Sequence, residues 1–305
     1  MAGKDNNHQI LLTSANNDAV NDIADKVQEA LTLLQKDGHA PQNKFVVRLH
    51  TLETEKSTLL RDVSLARPIP ENARPQTVTP LTAEGKEMLN RLQVAYLVYE
   101  KHKQATAQKF EGVADRRVRV LEQSLGYRAL QVAGIIGGAP FAQPDHESIR
   151  GFAQGFRHYL KGMVYIAEEK IRFQQRTKAL LDLTLQSATC AVTTMAVAAT
   201  PVFHTNFKPV VVTIDEFARA KEQDAMPLVD KYPQAECRIF VGDINQLGPV
   251  VKSTKEANPF FAQNRVSAPG PHPACRRADY HASPPFPLGI LPQWVLSANW
   301  RIKGC

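Results

Sequence analysis

Two apolar runs in the second half of this 305-residue chain end in side chains suited to phosphate and metal chemistry. Pro209-Val-Val-Val-Thr-Ile214 runs into Asp215-Glu216, and Arg238-Ile-Phe-Val241 runs into Gly242-Asp243-Ile244-Asn245-Gln246-Leu247-Gly248-Pro249-Val250-Val251. A carboxylate directly past a buried strand is well placed to hold a hydrated Mg²⁺, because the strand fixes its backbone while the side chain leaves the sheet edge into water. Asp215 fits that role. A second carboxylate beside it, close to the metal but not bound to it, can orient and deprotonate a water that attacks a γ-phosphate. Glu216 fits that one. Gln246, a neutral amide past the neighbouring run, can hydrogen-bond the γ-phosphate or the attacking water without adding negative charge. It can thus report whether the γ-phosphate is present.

Both runs are short, β-branched and nearly uninterrupted, the pattern of strands buried on both faces of a parallel sheet. Ala218 to Tyr232 is long enough for a crossover helix before Pro233. The unit therefore reads as βαβ, with its polar residues past the carboxyl ends of the strands, where open α/β sheets bind ligands. Alone, Asp215-Glu216 also reads as a strand end turning into a solvated loop, and Gly242-Asp243 as a turn. The order and βαβ spacing of all the parts together favour a nucleotide site.

The amino-terminal segment has similar parts. Gln9-Ile-Leu-Leu-Thr-Ser14 reads as a strand. Asn16-Asn17 can cap a helix from Asp18 to about Gln35, with Ala19, Val20, Ile23, Ala24, Val27, Ala30 and Leu31 on one face.

Asp215 to Ala220 and Val241 to Val251 resemble motifs II and III of the superfamily 1 helicases, in the Upf-like branch, and Asn258-Pro259-Phe260 is similar to fungal members of that branch. The segment from Ser14 resembles motif Ia, usually Ala-Pro-Ser-Asn-x-Ala-Val-Asp. Asn17, Ala19 and Val20 match it, while Ala15, Asn16 and Asn21 stand where Pro, Ser and Asp are usual. The resemblance implies a RecA-like parallel sheet of P-loop NTPase type, ATP hydrolysis with Mg²⁺, and movement along single-stranded RNA or DNA. On its terms Asp215, Asp243 and Gln246 face the nucleotide, Asp215 holds the Mg²⁺, and Glu216 and Gln246 serve catalysis. Asn16, Asn17, Thr189, Thr193 and Pro249 fall to the nucleic acid, Thr189 and Thr193 through a Thr-rich segment that precedes motif II.

The segment between these motifs is different in character. From Leu81 to Asp182 the spacing becomes helical: Met88, Leu92, Ala95, Tyr96 and Tyr99 form one stripe, a second segment runs from about Glu147 to Leu183, and Gly134 to Pro144 supplies a turn. Two long antiparallel helices are expected, with breaks. Residues 81–182 hold 16 Lys or Arg against 11 Asp or Glu, most of the chain's net charge of +7. Such an insertion can lie along a phosphate backbone or dock a protein partner, with Arg116, Arg117 and Arg119 the densest spot. A solvated surface of mixed charge is the plainer reading, and the aromatic residues read as core rather than as stacking platforms. Ser187 to Val197 suggests a strand turning into a short helix.

The phosphate-cradling pattern G-x-x-x-x-G-K-[S/T] has no match in the 305 residues, and in the family it lies before motif Ia. Ser267 to Pro292 is rich in Pro, Ala and His without an apolar period, so 267–305 reads as a disordered tail rather than a second RecA-like domain. The expected organisation is a first RecA-like part at 1–80, a helical insertion at 81–182, a second RecA-like part at 183–266, and the tail. This chain is expected to be a helicase fragment without activity of its own. The alternatives are a binding module that holds nucleic acid or a protein without catalysis, and a remnant with no stable fold. Four cysteines without C-x-x-C spacing argue for reduced thiols. No apolar span suits a membrane, and a cytoplasmic or nuclear location is expected.

Overall fold

The computed structural model describes residues 8–55, 83–107, 121–137, 147–162 and 167–242. Its centre is a five-stranded, all-parallel sheet. The strands are β1 (Gln9–Ser14), β2 (Val46–Leu49), β3 (Cys190–Thr194), β4 (Pro209–Asp215) and β5 (Cys237–Phe240), in the order β2-β3-β1-β4-β5. The fold is α/β, as the buried β-branched runs require. β2 was not anticipated, although Phe45-Val-Val-Arg-Leu49 carries the same signature; the arginine in its middle disguises it.

Helix α1 (Asn17–Lys36) covers one face of the sheet. Its Val20 and Ala24 pack with Val46, Cys190 and Val192, and Ile10 and Leu12 lie against this cluster. The alternate residues Leu11, Val47, Leu49 and Ala191 face the other way, into a larger core. That core also holds Leu92, Val98, Leu130, Phe152, Phe156 and Leu180 from the helical insertion. The period of two along each strand sends successive side chains to opposite layers.

The insertion comprises α2 (Ala83–Ala107), α3 (Leu125–Val132), a 3-10 turn (Glu147–Ile149), α4 (Phe152–Leu160) and α5 (Ala167–Ser187). Its second segment is broken, in keeping with the breaks expected there. Gly151 and Gly162 mark the breaks, at φ 77° and 69°, where a residue with a Cβ is strained. Phe152 stacks on both Phe156 and Phe173, with ring centroids 5.7 Å apart in each pair. These rings are core, each worth roughly 1.5–3 kcal/mol of burial.

Below β3 and β4 the chain is tied by short helices. Met195–Ala198 (α6) and Pro201–Asn206 (α7) follow β3, and Glu222–Lys231 (α8) crosses from β4 to β5. Tyr232, directly after α8, buries its ring and donates its hydroxyl to the Ala198 carbonyl at 2.6 Å.

Past the carboxyl end of β2 lies a buried polar cluster. Arg48 is fully buried; its guanidinium donates to Asn17 Oδ1 at 2.9 Å, to Asn21 Oδ1 at 3.0 Å and to the Leu49 carbonyl. Burial lowers its pKa to about 9. Arg91 of α2 donates to Glu55 at 2.6 Å and to the His50 carbonyl at 3.1 Å, which fastens the insertion to the end of β2. Burial raises the Glu55 carboxyl to about 7, even beside Arg91. It holds the buried His50 imidazole well below its ordinary value, and neither ring nitrogen has a partner among the described residues.

Because the folded state raises the Glu55 pKa, the stability it contributes is full below about 4.5 and lost as pH rises through about 7. His50 acts oppositely: its contribution is full above 6.5 and lost as pH falls. Removing the Arg91 cation leaves a buried carboxylate alone at alkaline pH. Arg91→Met is therefore expected to cost about 3–5 kcal/mol at pH 8 and clearly less at pH 5, where Glu55 carries a proton. Urea unfolding of both proteins at the two pH values checks this; an equal loss at both would contradict it.

Candidate functional site

The order β2-β3-β1-β4-β5 forces the chain to leave neighbouring strands in opposite directions. From β1 it runs through α1 to the far side at β2; from β4 it runs through α8 to β5. The crevice between the carboxyl ends of β1 and β4 is therefore a topological switch point, where departing loops open a gap at the sheet edge. Ser14, Asn16, Asp215 and Glu216 all stand there. Ser14 is opposite Asp215 in the β1–β4 register.

Each of these side chains is fixed by its local backbone. Glu216 has φ 52° and ψ 35°, the only non-glycine among the described residues with positive φ. Such a conformation in a non-glycine residue costs energy and needs support from its surroundings. The support comes from β5: the Val241 amide donates to the Ile214 carbonyl at 2.9 Å, and the Phe217 amide donates to the Val241 carbonyl at 2.8 Å. The Phe217 and Phe240 rings pack with centroids 4.6 Å apart. The sharp left-handed turn throws Glu216 off the strand axis and over the crevice.

There it meets Asn16. The Asn16 amide donates to Glu216 Oε2 at 2.7 Å, while Asn16 Oδ1 accepts the Ala19 amide at 2.8 Å and caps α1. Glu216 Oε1 accepts from Arg219 at 3.3 Å. The Glu216 side chain is 24 % exposed, so the carboxylate borders the crevice without being sealed in it. Asp215 is half-buried beside it. The Ser14 hydroxyl is buried and has no partner among the described residues.

The sequence-derived residues separate into groups. Asn16, Asp215 and Glu216 come together at the crevice, and the exposed Asn17 follows on the first turn of α1, its Oδ1 held by Arg48. Thr193 is on the same edge but fully buried, its hydroxyl donating to the Leu49 carbonyl at 2.9 Å. Thr189 does not join them: it precedes β3, at the opposite edge of the sheet, where its carbonyl accepts the Ile10 amide. Asp243, Gln246 and Pro249 lie outside the described residues, as do Arg116, Arg117 and Arg119. Sequence reading overlooked Ser14 and the Arg48, His50, Glu55 and Arg91 cluster. A lone arginine inside an apolar strand was the available signal for the latter.

Asp215 and Glu216 are oxygen donors, the type that a hard divalent cation takes. Among the described residues no group of three or more His, Cys, Asp or Glu side chains could hold a metal. Two such carboxylates could supply only part of a divalent cation's oxygen shell, the rest coming from water or a ligand. Cys190 offers no alternative chemistry, since burial pushes its thiol up to about 12. No helix among the described residues is long and apolar enough to cross a membrane.

A Cβ on Gly242 would fall 2.7 Å from the Ala218 amide nitrogen and 3.0 Å from that of Phe217. Gly242→Ala must therefore push the turn that carries Glu216, at a cost of about 1–3 kcal/mol. Chemical denaturation measures this directly, and an unchanged midpoint would show that the turn does not rest on Gly242.

The model of one protein family, described as an AAA domain, matches residues 1–254. No curated protein matches the chain. With a parallel α/β sheet, an acidic pair at its switch point and a family match over most of the sequence, the chain belongs to the AAA domain family, P-loop NTPases of helicase type.

Proposed function

We propose that the chain is the first RecA-like domain of an Upf-like superfamily 1 helicase of the fungal type, carrying the metal-and-water half of an ATP site beside a path for single-stranded RNA or DNA. The observation that carries this reading is the meeting of Asp215-Glu216 with Asn16 and the start of α1 at one switch point. The acidic pair suits nucleotide chemistry, and the helix start suits a phosphate backbone.

Asp215 would hold the Mg²⁺ and Glu216 would accept the proton of the attacking water, with Gln246 oriented toward the γ-phosphate and Asp243 toward the nucleotide. When bound, Mg²⁺-ATP supplies the phosphoryl group and the cation that neutralises its developing charge. The strand ends hold the two carboxylates apart in role, Asp215 on the strand axis and Glu216 on the strained turn beyond it. At the other side of the crevice, Asn16 and Asn17 present polar groups at the amino end of α1, whose partial positive charge favours a nucleic-acid phosphate. Pro249 would lie along the same path, and Thr193, buried in β3, would support the edge from beneath. Thr189, at the far edge, would reach the strand only with a different course of the nucleic acid.

Turnover needs backbone amides and a lysine around the β- and γ-phosphates, and no G-x-x-x-x-G-K-[S/T] pattern occurs in these 305 residues. The chain by itself is therefore expected to bind single-stranded nucleic acid without hydrolysing ATP. The rival reading, a non-catalytic binding module in which the basic helical insertion and the sheet's motif Ia edge hold nucleic acid or a partner protein, draws on the 16 basic residues in 81–182.

Fluorescence anisotropy with a labelled oligouridine, together with an ATPase assay on the same preparation, tests the proposal. Expected are binding that weakens steeply with salt, a clear loss of affinity for Asn17→Asp, and no ATP turnover above background. Turnover that Glu216→Gln abolishes would overturn the expected inactivity. Binding weakened by charge reversal at Arg116, Arg117 and Arg119 but untouched by Asp215→Ala would favour the rival.

A further inference from the structure

We infer that the cleft between α1 and α3 is a binding site for a free α-amino acid, its carboxylate taken by Arg128 and its ammonium by Asp25 and the side-chain oxygen of Gln123. The inference does not rest on the functional reading above. The cleft lies at the outer edge of β2, which ends the sheet. There the Arg48 amide donates to the Gln123 carbonyl at 2.8 Å, so the segment that leads into α3 runs alongside the strand. Asp25 and Gln28 of α1 form one wall, and Gln123, Arg128 and Gln131 form the other, around a space of about 390 Å³. That is the lower part of the size range of small-molecule sites.

Two groups in this cleft are left with binding capacity. Gln123 is 9 % exposed and donates its amide to Asp25 Oδ1 at 3.3 Å, but its side-chain oxygen is buried with no partner among the described residues. A buried acceptor without a donor is costly, and a donor brought by a ligand removes that cost. Arg128 is the second group. Its guanidinium donates to the Val46 carbonyl at 3.2 Å, to Gln131 Oε1 at 3.0 Å and to Gln28 Oε1 at 2.9 Å, all of them neutral acceptors. Burial lowers its pKa to about 10, so it is charged at neutral pH. Two of its five N–H bonds and its charge remain for an anion.

The spacing of these groups selects the ligand. Asp25 and Gln28 stand three residues apart on α1, neighbours on one helical face with Cβ atoms about 5–6 Å apart. Because Gln28 accepts from Arg128, the guanidinium and the Asp25 carboxylate are set about one helical turn apart along the cleft. An α-amino acid carries its ammonium and carboxylate on one carbon, so each end reaches one of the two by a charge-assisted hydrogen bond. Glu122 also lines the cleft and adds a second carboxylate to it. A simple cation would meet Arg128 and a simple anion would meet Asp25 and Glu122, so repulsion works against both.

Thermal unfolding of the full chain with each proteinogenic L-amino acid in turn, followed by titration calorimetry of those that raise the midpoint, tests the site. At least one is expected to bind saturably and to raise the midpoint. Blocking either end of that ligand, as its N-acetyl derivative or its carboxamide, is expected to weaken binding by about tenfold or more, and so is Asp25→Asn, since each removes one charge-assisted hydrogen bond. Asp25→Asn keeps the shape and the acceptor for Gln123, so its midpoint without ligand should match the parent; should that variant fold poorly, the two blocked ligands on the parent chain decide. No midpoint change with any amino acid, or an affinity that survives blocking of both ends, would overturn the inference. Either failure leaves the reading of the crevice between β1 and β4 standing.

Discussion

Everything about the crevice follows from one constraint: in a parallel sheet, two neighbouring strands whose onward connections run to opposite sides leave a gap at their carboxyl edge. β3 enters between β1 and β2, so the β1 connection must travel two strand positions to one side, while the β4 connection moves one position to the other. A gap at the carboxyl edge between β1 and β4 is the geometric result. Residues that follow these two strands are thereby brought face to face, although about 200 positions separate them. Asn16 and Glu216 owe their contact to this divergence rather than to any local preference.

The crevice is only as rigid as its walls. On the β4 side, the left-handed backbone at Glu216 is held by two main-chain hydrogen bonds to Val241 and by the close approach of Gly242. On the β1 side, Arg48 ties Asn17 and Asn21 of α1 down to β2. Arg48, His50, Glu55 and Arg91 make an expensive foundation, because each must leave water. The tie between Arg91 and Glu55 also welds the helical insertion to the sheet. The insertion is therefore no loose appendage: its apolar residues share one core with the strands.

Much of this was legible in the sequence, for physical reasons that differ from element to element. Gln9–Ser14 is a strand with the bounds expected of it, because a β-branched and aliphatic run buried on both faces has few other fates. Helix α1 was equally plain from its apolar period and its Asn cap. β2 was missed because a buried arginine interrupts the hydrophobic signal, and its partners on α1 are tertiary neighbours that periodicity cannot announce. The breaks at Gly151 and Gly162 were foreshadowed only by the glycines themselves. In the site, Asp215 and Glu216 could be read from their place after a strand, but the bond from Asn16 to Glu216 could not. It depends on strand order, which no local pattern encodes. Thr189 and Thr193 suited the same role by residue type, but Thr189 precedes β3 while Thr193 lies near its carboxyl end, so the two stand at opposite edges of the sheet.

On the proposed function, nucleotide chemistry lies on the β4 and β5 side of the crevice and a nucleic-acid backbone on the β1 and α1 side, with the hydrogen bond from Asn16 to Glu216 between them. Hydrogen–deuterium exchange of the full chain, with and without a saturating single-stranded RNA, addresses that arrangement directly. The proposed function requires slower exchange at residues 14–20, where the strand would land. Protection confined to residues 121–187, or none at all, would contradict it.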